Sequence, residues 1–241
     1  MDKLGFIAEI SSKNWDEIVA KYNVKYKDVF SKNTKYTIET EDGKECSCYT
    51  ISNGNAFDCP ALLQGKCNVP CYGLKGCYRW DTPKINKEFQ RKVLEFAPLG
   101  WLYNAIKHLA TNKRMKQGNR LTEVRLNEVS DLTQQLLNKV IALCMLLAHN
   151  QETSHIKVFT YTKMANLDFS VAEKLQNLCI NTSQAINPVY KGGNIYFAVD
   201  EATFDSIKEN EIVKKCNCDI ACKQCGYCYK DNGFFIYAKI H

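Results

Sequence analysis

Nine of the thirteen cysteines in this 241-residue chain fall in two short stretches, Cys59/Cys67/Cys71/Cys77 and Cys216/Cys218/Cys222/Cys225/Cys228. Thiolates a few residues apart can turn together toward one soft metal centre, whereas cysteines that close rarely reach each other in disulfide geometry. A disulfide framework is disfavoured further by the odd count, by a length well above the small secreted class, and by an opening, Met1 to Gly5, without a basic region leading into an apolar stretch. The thiols are therefore expected to stay reduced and available as ligands. The longest apolar run, Val140 to Ala148, is far below the roughly 20 residues a bilayer crossing needs. No membrane partner is expected, and a soluble, cytoplasmic protein is.

Outside the cysteine stretches the chain reads as an alternation of helices and strands. The first 45 residues form a small α+β extension packed on the main domain, with a helix from Asn14 to Tyr22 and a hairpin joining Tyr36 to Glu39 with Cys48 to Ile51 across Glu41-Asp42-Gly43. Residues 52 to 83 read as a loop ordered by metal. Helical periodicity runs through Phe89, Val93 and Phe96, breaks at Pro98 and resumes through Leu102, Ile106 and Leu109. Strands follow at Thr122 to Leu126, Ile156 to Tyr161, Asn187 to Tyr190, Asn194 to Val199 and Phe234 to Ile240. Helices are expected over Asp131 to His149, over Asp168 to Ile180 and after a cap at Asp200. Such alternation implies a mainly parallel α/β sheet, and with too few units for eight-fold closure the expected architecture of residues 46–241 is a partial (β/α) barrel. In such sheets the reactive groups gather beyond the C-terminal strand ends.

The first cysteine site has the spacing Cys59-x7-Cys67-x3-Cys71-x5-Cys77, unlike the paired Cys-x2-Cys units of common zinc folds. In the second, Cys222-x2-Cys225-x2-Cys228 is close to the ferredoxin run in which short steps let thiolates grip the corners of a cubane, with Cys216 and Cys218 competing for the remaining position. Zinc would also close such loops and supply folding energy. The tight triples favour an iron-sulfur cluster, of the 4Fe-4S type, over zinc. Cys144 and Cys179 are placed on apolar helix faces as core residues. Cys46 and Cys48 alternate within a strand with nothing nearby to complete a site.

The order Cys59-Pro60, Cys67-x3-Cys71-Tyr72, Val124-Arg125-Leu126-Asn127-Glu128-Val129-Ser130-Asp131, Val158-Phe159-Thr160-Tyr161-Thr162-Lys163, and then the late cysteine cluster resembles the phage "gene product eighty-eight" family. The resemblance spans about Asp58 to Tyr229. It implies a divergent relative of the radical S-adenosylmethionine proteins, with a (β/α) barrel and a cysteine-bound iron-sulfur cluster. Where family members tend to carry Gly-Asp after the Arg-x-Asn-x strand, this chain has Ser130-Asp131, and it departs from the radical S-adenosylmethionine pattern in two further ways. The Cys-x3-Cys-x2-Cys signature of authentic radical S-adenosylmethionine enzymes is missing from the first loop and fits only Cys218-x3-Cys222-x2-Cys225, and no Gly-Gly-Glu-type segment follows a strand. Both departures argue against S-adenosylmethionine as a cofactor.

Arg125, Asn127, Asp131 and Lys163 are candidate ligand-binding residues, because they sit at strand ends where a polar ligand docks. The alternative for Asp131 is a helix cap with Gln134, and for Lys163 a solvated side chain. Histidines 108, 149, 155 and 241 form no set. The stretch Lys107 to Arg120 carries five basic residues and no acidic one, which suits a phosphate backbone or an exposed helix end. Two function classes remain: an iron-sulfur enzyme or redox protein, and a metal-stabilised phage factor that binds a host protein or nucleic acid.

Overall fold

The computed structural model describes residues 1–33, 38–39, 45–65, 80–111, 120–126, 130–164, 166–183, 193–216, 227–228 and 233–239. Three short helices open the chain: α1 (Lys3–Glu9), α2 (Trp15–Lys21) and α3 (Tyr26–Val29). Asp2 caps α1 by accepting the Gly5 N–H at 3.0 Å. Their aromatic residues face inward, and Phe6 meets Trp15, Tyr22 and Phe89 edge-on with ring centroids 6.3, 6.1 and 5.0 Å away. Because Phe89 belongs to α5 (Asp81–Phe96), the opening segment shares its apolar core with the rest of the chain.

Among the described residues, nine strands form one sheet. The short β1 (Ser31–Lys32) and β2 (Ile38–Glu39) pair antiparallel with β3 (Glu45–Ile51). The expected hairpin is shifted: Ile38 and Glu39 pair with Cys46 and Glu45, whereas Tyr49 and Thr50 of the expected second strand pair with Lys32 and Ser31, and the turn residues 41–43 lie outside the described residues. From β3 onward every pairing is parallel, through β4 (Arg120–Leu126), β5 (Lys157–Thr162), β6 (Leu178–Ser183), β7 (Asn194–Val199), β9 (Phe235–Lys239) and finally β8 (Val213–Cys216). Parallel neighbours need crossovers. These include the short α4 (Pro60–Leu63), α5 and α6 (Leu99–Thr111) between β3 and β4, α7 (Gln134–His149) between β4 and β5, and α8 (Glu201–Ser206) between β7 and β8. The mixed α/β class is therefore as expected, as is the break between α5 and α6, where Ala97 closes one helix on the Val93 carbonyl and Pro98 O receives the first bonds of the next.

Two further expectations are corrected. The helix over Asp168 to Ile180 is a single 3-10 turn, Ala172–Lys174, followed by β6. Leu178 to Thr182 are all buried, and a strand enclosed on both faces has the same apolar run as a buried helix. Asp131 does not cap α7. Thr133 does, accepting the Leu136 N–H at 3.2 Å. Strand β8 had no counterpart in the sequence reading, and Asn187 to Tyr190 lie outside the described residues. No described helix is long and apolar enough to cross a membrane.

Side chains alternate across a strand, so the register divides the sheet into two faces. Ile51, Val124, Leu126, Val158, Leu178 and Ile180 turn toward the helices and pack with Phe89, Val93, Leu102, Ile106, Leu137 and Leu147. The opposite face carries Cys48, Phe159, Cys179 and Ile236, joined by Cys228, with Tyr161, Tyr196, Cys216, Tyr227 and Phe234 packed against them.

Candidate functional site

At the C-terminal strand ends the chain leaves β4 through Ser130, whose φ of 78° lies in the left-handed region. Asp131 follows, 4% exposed. Its Oδ1 accepts the Leu132 N–H at 2.7 Å and the Thr162 hydroxyl at 2.5 Å, and its Oδ2 accepts the Lys163 N–H at 2.9 Å. Its own carbonyl accepts from Asn53 Nδ2 at 2.7 Å. Just beyond β3, Ser52 N–H donates to Gln90 Oε1 at 3.0 Å, and Gln90 Nε2 donates to Val29 O at 2.7 Å. The ends of three adjacent parallel strands are thus laced together. Burial raises the Asp131 pKa, while its three hydrogen bonds and the Lys163 charge pull the other way. With both oxygens engaged, this carboxylate holds the β4 and β5 ends in place.

The ligand-binding candidates divide between regions. Asp131 bonds Thr162 and the Lys163 backbone, whereas Arg125 lies in register with Phe159 and Cys179 on the cysteine-bearing face. There its guanidinium sits 5.4 Å from the Tyr161 ring centroid, and Tyr161 meets Tyr196 edge-on at 5.6 Å. Asn127 lies outside the described residues. Lys214 Nζ lies over Tyr227 and Phe234, 5.4 and 5.5 Å from their centroids.

Of the cysteine candidates, Cys67, Cys71, Cys77, Cys218, Cys222 and Cys225 lie outside the described residues. Cys59 stands at the N-terminus of α4, half-buried, with its carbonyl taken by Leu63 N–H at 3.0 Å. Cys216 ends β8 and is half-buried, and Cys228 is buried. Among the described residues, no three His, Cys, Asp or Glu side chains gather as a metal-holding group. Cys144 is a core residue on α7, and burial pushes its thiol pKa far up, leaving it unreactive. Cys179 is buried as expected but on β6 rather than on a helix, and it faces the Cys228 side of the sheet. The described histidines are dispersed: His149 Nδ1 lies 2.9 Å from Met145 O, His155 Nε2 lies 2.9 Å from Leu121 O, and His108 stacks near Tyr26. In the basic stretch, Lys107 pairs with Glu152 at 2.6 Å, and residues 112–119 are outside the described set.

Sequence reasoning passed over Thr162, Asn53, Asn181 and Asn194. The last two lie opposite each other on β6 and β7, fully buried. Their signal was available, because asparagine is depleted from strands and a buried one must have partners.

The family described as Gene product 88 has a family model that matches residues 17–231. No curated protein and no solved structure matches the chain. The match covers well over half of the sequence, so the chain belongs to the gene product 88 family.

Proposed function

We propose that this member of the gene product 88 family is a phage-type iron-sulfur protein, its cluster held by cysteines of the two rich segments on a radical-SAM-like partial barrel. The observation that carries this reading is that Cys216 and Cys228, which bracket the late cysteine segment, lie against one sheet face in company with Cys48 and Cys179. Cys218, Cys222 and Cys225 fall between these two ends in the sequence. The consecutive β3-β4-β5-β6-β7 order of parallel strands is the order a (β/α) barrel wall uses. Soft thiolates with aromatic neighbours suit a cluster, whose contribution when bound is electron transfer. Cys59, at the start of α4, opens the first segment and is the described member of the Cys59, Cys67, Cys71 and Cys77 set.

The alternative is a metal-stabilised factor, holding zinc or an iron-sulfur cluster, that binds a host protein or nucleic acid in the cytoplasm. It is favoured by the state of Asp131, whose carboxylate is engaged by Leu132, Thr162 and Lys163. S-adenosylmethionine is not part of either reading.

Anaerobic purification with metal and acid-labile sulfide analysis tests the iron-sulfur cluster. The iron-sulfur reading expects brown protein with stoichiometric iron and sulfide and visible absorption that bleaches on reduction. Colourless protein holding zinc alone would end it. Cys228→Ser is expected to lose metal and solubility together, because an unfilled site leaves its loop without ordering energy.

A further inference from the structure

From the hydrogen bonding on the cysteine-bearing face, we infer that Asn181 and Asn194 are positioning residues for Cys228. They are register partners on β6 and β7, 0% and 1% exposed. Asn181 Nδ2 donates to Thr160 O at 3.1 Å and to Cys228 O at 3.0 Å. Its Oδ1 accepts from Asn194 Nδ2 at 3.0 Å. Asn194 Nδ2 also donates to Tyr227 O at 2.9 Å and faces Cys179 Sγ at 3.5 Å, while Asn194 Oδ1 accepts the Phe234 N–H at 3.0 Å.

The orientation of the Asn194 amide follows from chemistry. A backbone N–H can only donate and a backbone carbonyl can only accept, so Oδ1 must face Phe234 and Nδ2 must face Tyr227. Aspartate would bring a carboxylate against carbonyl oxygens, and a hydrocarbon would strand those carbonyls without a donor. The pair therefore clamps two successive carbonyls, those of Tyr227 and Cys228, and fixes how this part of the chain presents the Cys228 side chain. Outer hydrogen bonds of this kind aim ligands at metal centres. The same donor nitrogen that grips Tyr227 O reaches the Cys179 sulfur, so a second thiol lies beside the clamp. The inference rests on the metal reading above for what Cys228 holds. The clamp on the backbone stands apart from it.

Asn181→Asp and Asn194→Asp remove the donors at nearly constant volume. Asn177→Asp is the control, because buried Asn177 makes the same kind of bond, Nδ2 to Cys144 O at 2.9 Å, at a carbonyl of α7. Each protein is purified anaerobically, and three quantities are measured: iron and sulfide per chain, the visible circular dichroism spectrum, and the rate of iodoacetamide modification of Cys228 relative to the same thiol in the parent, by peptide mass spectrometry. Thermal melts establish folding, and a variant that fails to fold is replaced by the Ser substitution at the same position, read against Asn177→Ser. The expected result is Cys228 modification faster by about tenfold, the effect of one lost buried hydrogen bond on local opening. The visible spectrum should change with it, while Asn177→Asp matches the parent in both. If the two clamp variants alter Cys228 modification and the spectrum no more than the control does, the inference is overturned. A parent without iron or sulfide would end the iron-sulfur reading, and the Cys228 modification rate would still decide the clamp. An iron-loaded parent whose variants change neither quantity would end the clamp and leave the metal reading standing.

Discussion

The two faces of this sheet come from the same strands and are built by opposite rules. On the helix side, Ile51, Val124, Leu126, Val158, Leu178 and Ile180 meet aliphatic or aromatic partners and pack chiefly by shape, with Thr162 and Thr182 adding hydrogen bonds toward the strand ends. On the other side, cysteines, tyrosines, asparagines and Arg125 share the surface, and order depends on hydrogen bonds and ring contacts. The first arrangement tolerates exchange of one apolar residue for another of similar volume. The second does not, because the buried Asn181 and Asn194 amides have named partners to lose. Stability is concentrated on one face and specific chemistry on the other.

The sharpest test of that division is Phe89→Ala on the helix side. Phe89 is fully buried and meets Phe6 edge-on, so its truncation should cost about 3–5 kcal/mol in urea unfolding, while on the iron-sulfur proposal the metal content of the folded fraction should stay unchanged. Metal lost in proportion to stability would break the comparison.

Next in size is Asp131, where the helix side meets the strand ends. Asp131→Ala leaves Thr162 Oγ1 and the Leu132 and Lys163 N–H groups without their acceptor and should cost about 2–3 kcal/mol. The pH dependence carries a sign. The folded-state pKa is raised by burial, so the favourable share of this group is complete below its ordinary value of 3.8 and is lost as pH rises through the folded value. The stability of the parent relative to Asp131→Asn should therefore fall across that window, as read by unfolding curves at stepped pH. A rise would mean that the three hydrogen bonds outweigh desolvation.

Tyr196→Ala on the cysteine face removes one edge-on partner of a half-buried ring and should cost about 1–2 kcal/mol, while changing the absorbance or fluorescence of Tyr161. The smallest effect is at Lys139, whose Nζ donates to Leu94 O at 2.6 Å and Glu95 O at 3.1 Å at the C-terminus of α5. Burial lowers its pKa from 10.5 to about 8. The unfolded chain then binds more protons between those values, so stability should rise with pH across that range. The side chain keeps some solvent access, so the gain relative to Lys139→Met should be about 1 kcal/mol or less.

Much of the fold was legible in local pattern. Alternating runs announced β4, β5, β7 and β9, the helical spacing of Phe89, Val93 and Phe96 announced α5, and Pro98 marked its end. The segment Asp168 to Ile180 differs from its expected helix because Phe169, Ala172 and Leu175 have helical spacing, but Leu178, Cys179 and Ile180 form a run that fits strand and helix equally. Burial between β5 and β7 decided it. The Asp131 cap failed similarly, because Thr133 competes for the same helix start and Asp131 finds better donors across the sheet at Thr162 and Lys163.

By itself the sequence determined the thiol-rich segments, the alternation of strands and helices, and family membership, because composition and short-range period are properties of neighbouring residues. Only the tertiary structure decided which sheet face received Cys48, Cys179 and Cys228, that Asn181 and Asn194 stand in register, and that their amides close on the carbonyls of residues 227 and 228. Those facts depend on pairing between segments far apart in the chain. A strand's period of two says which residues share a face, but only its neighbours say what that face will meet.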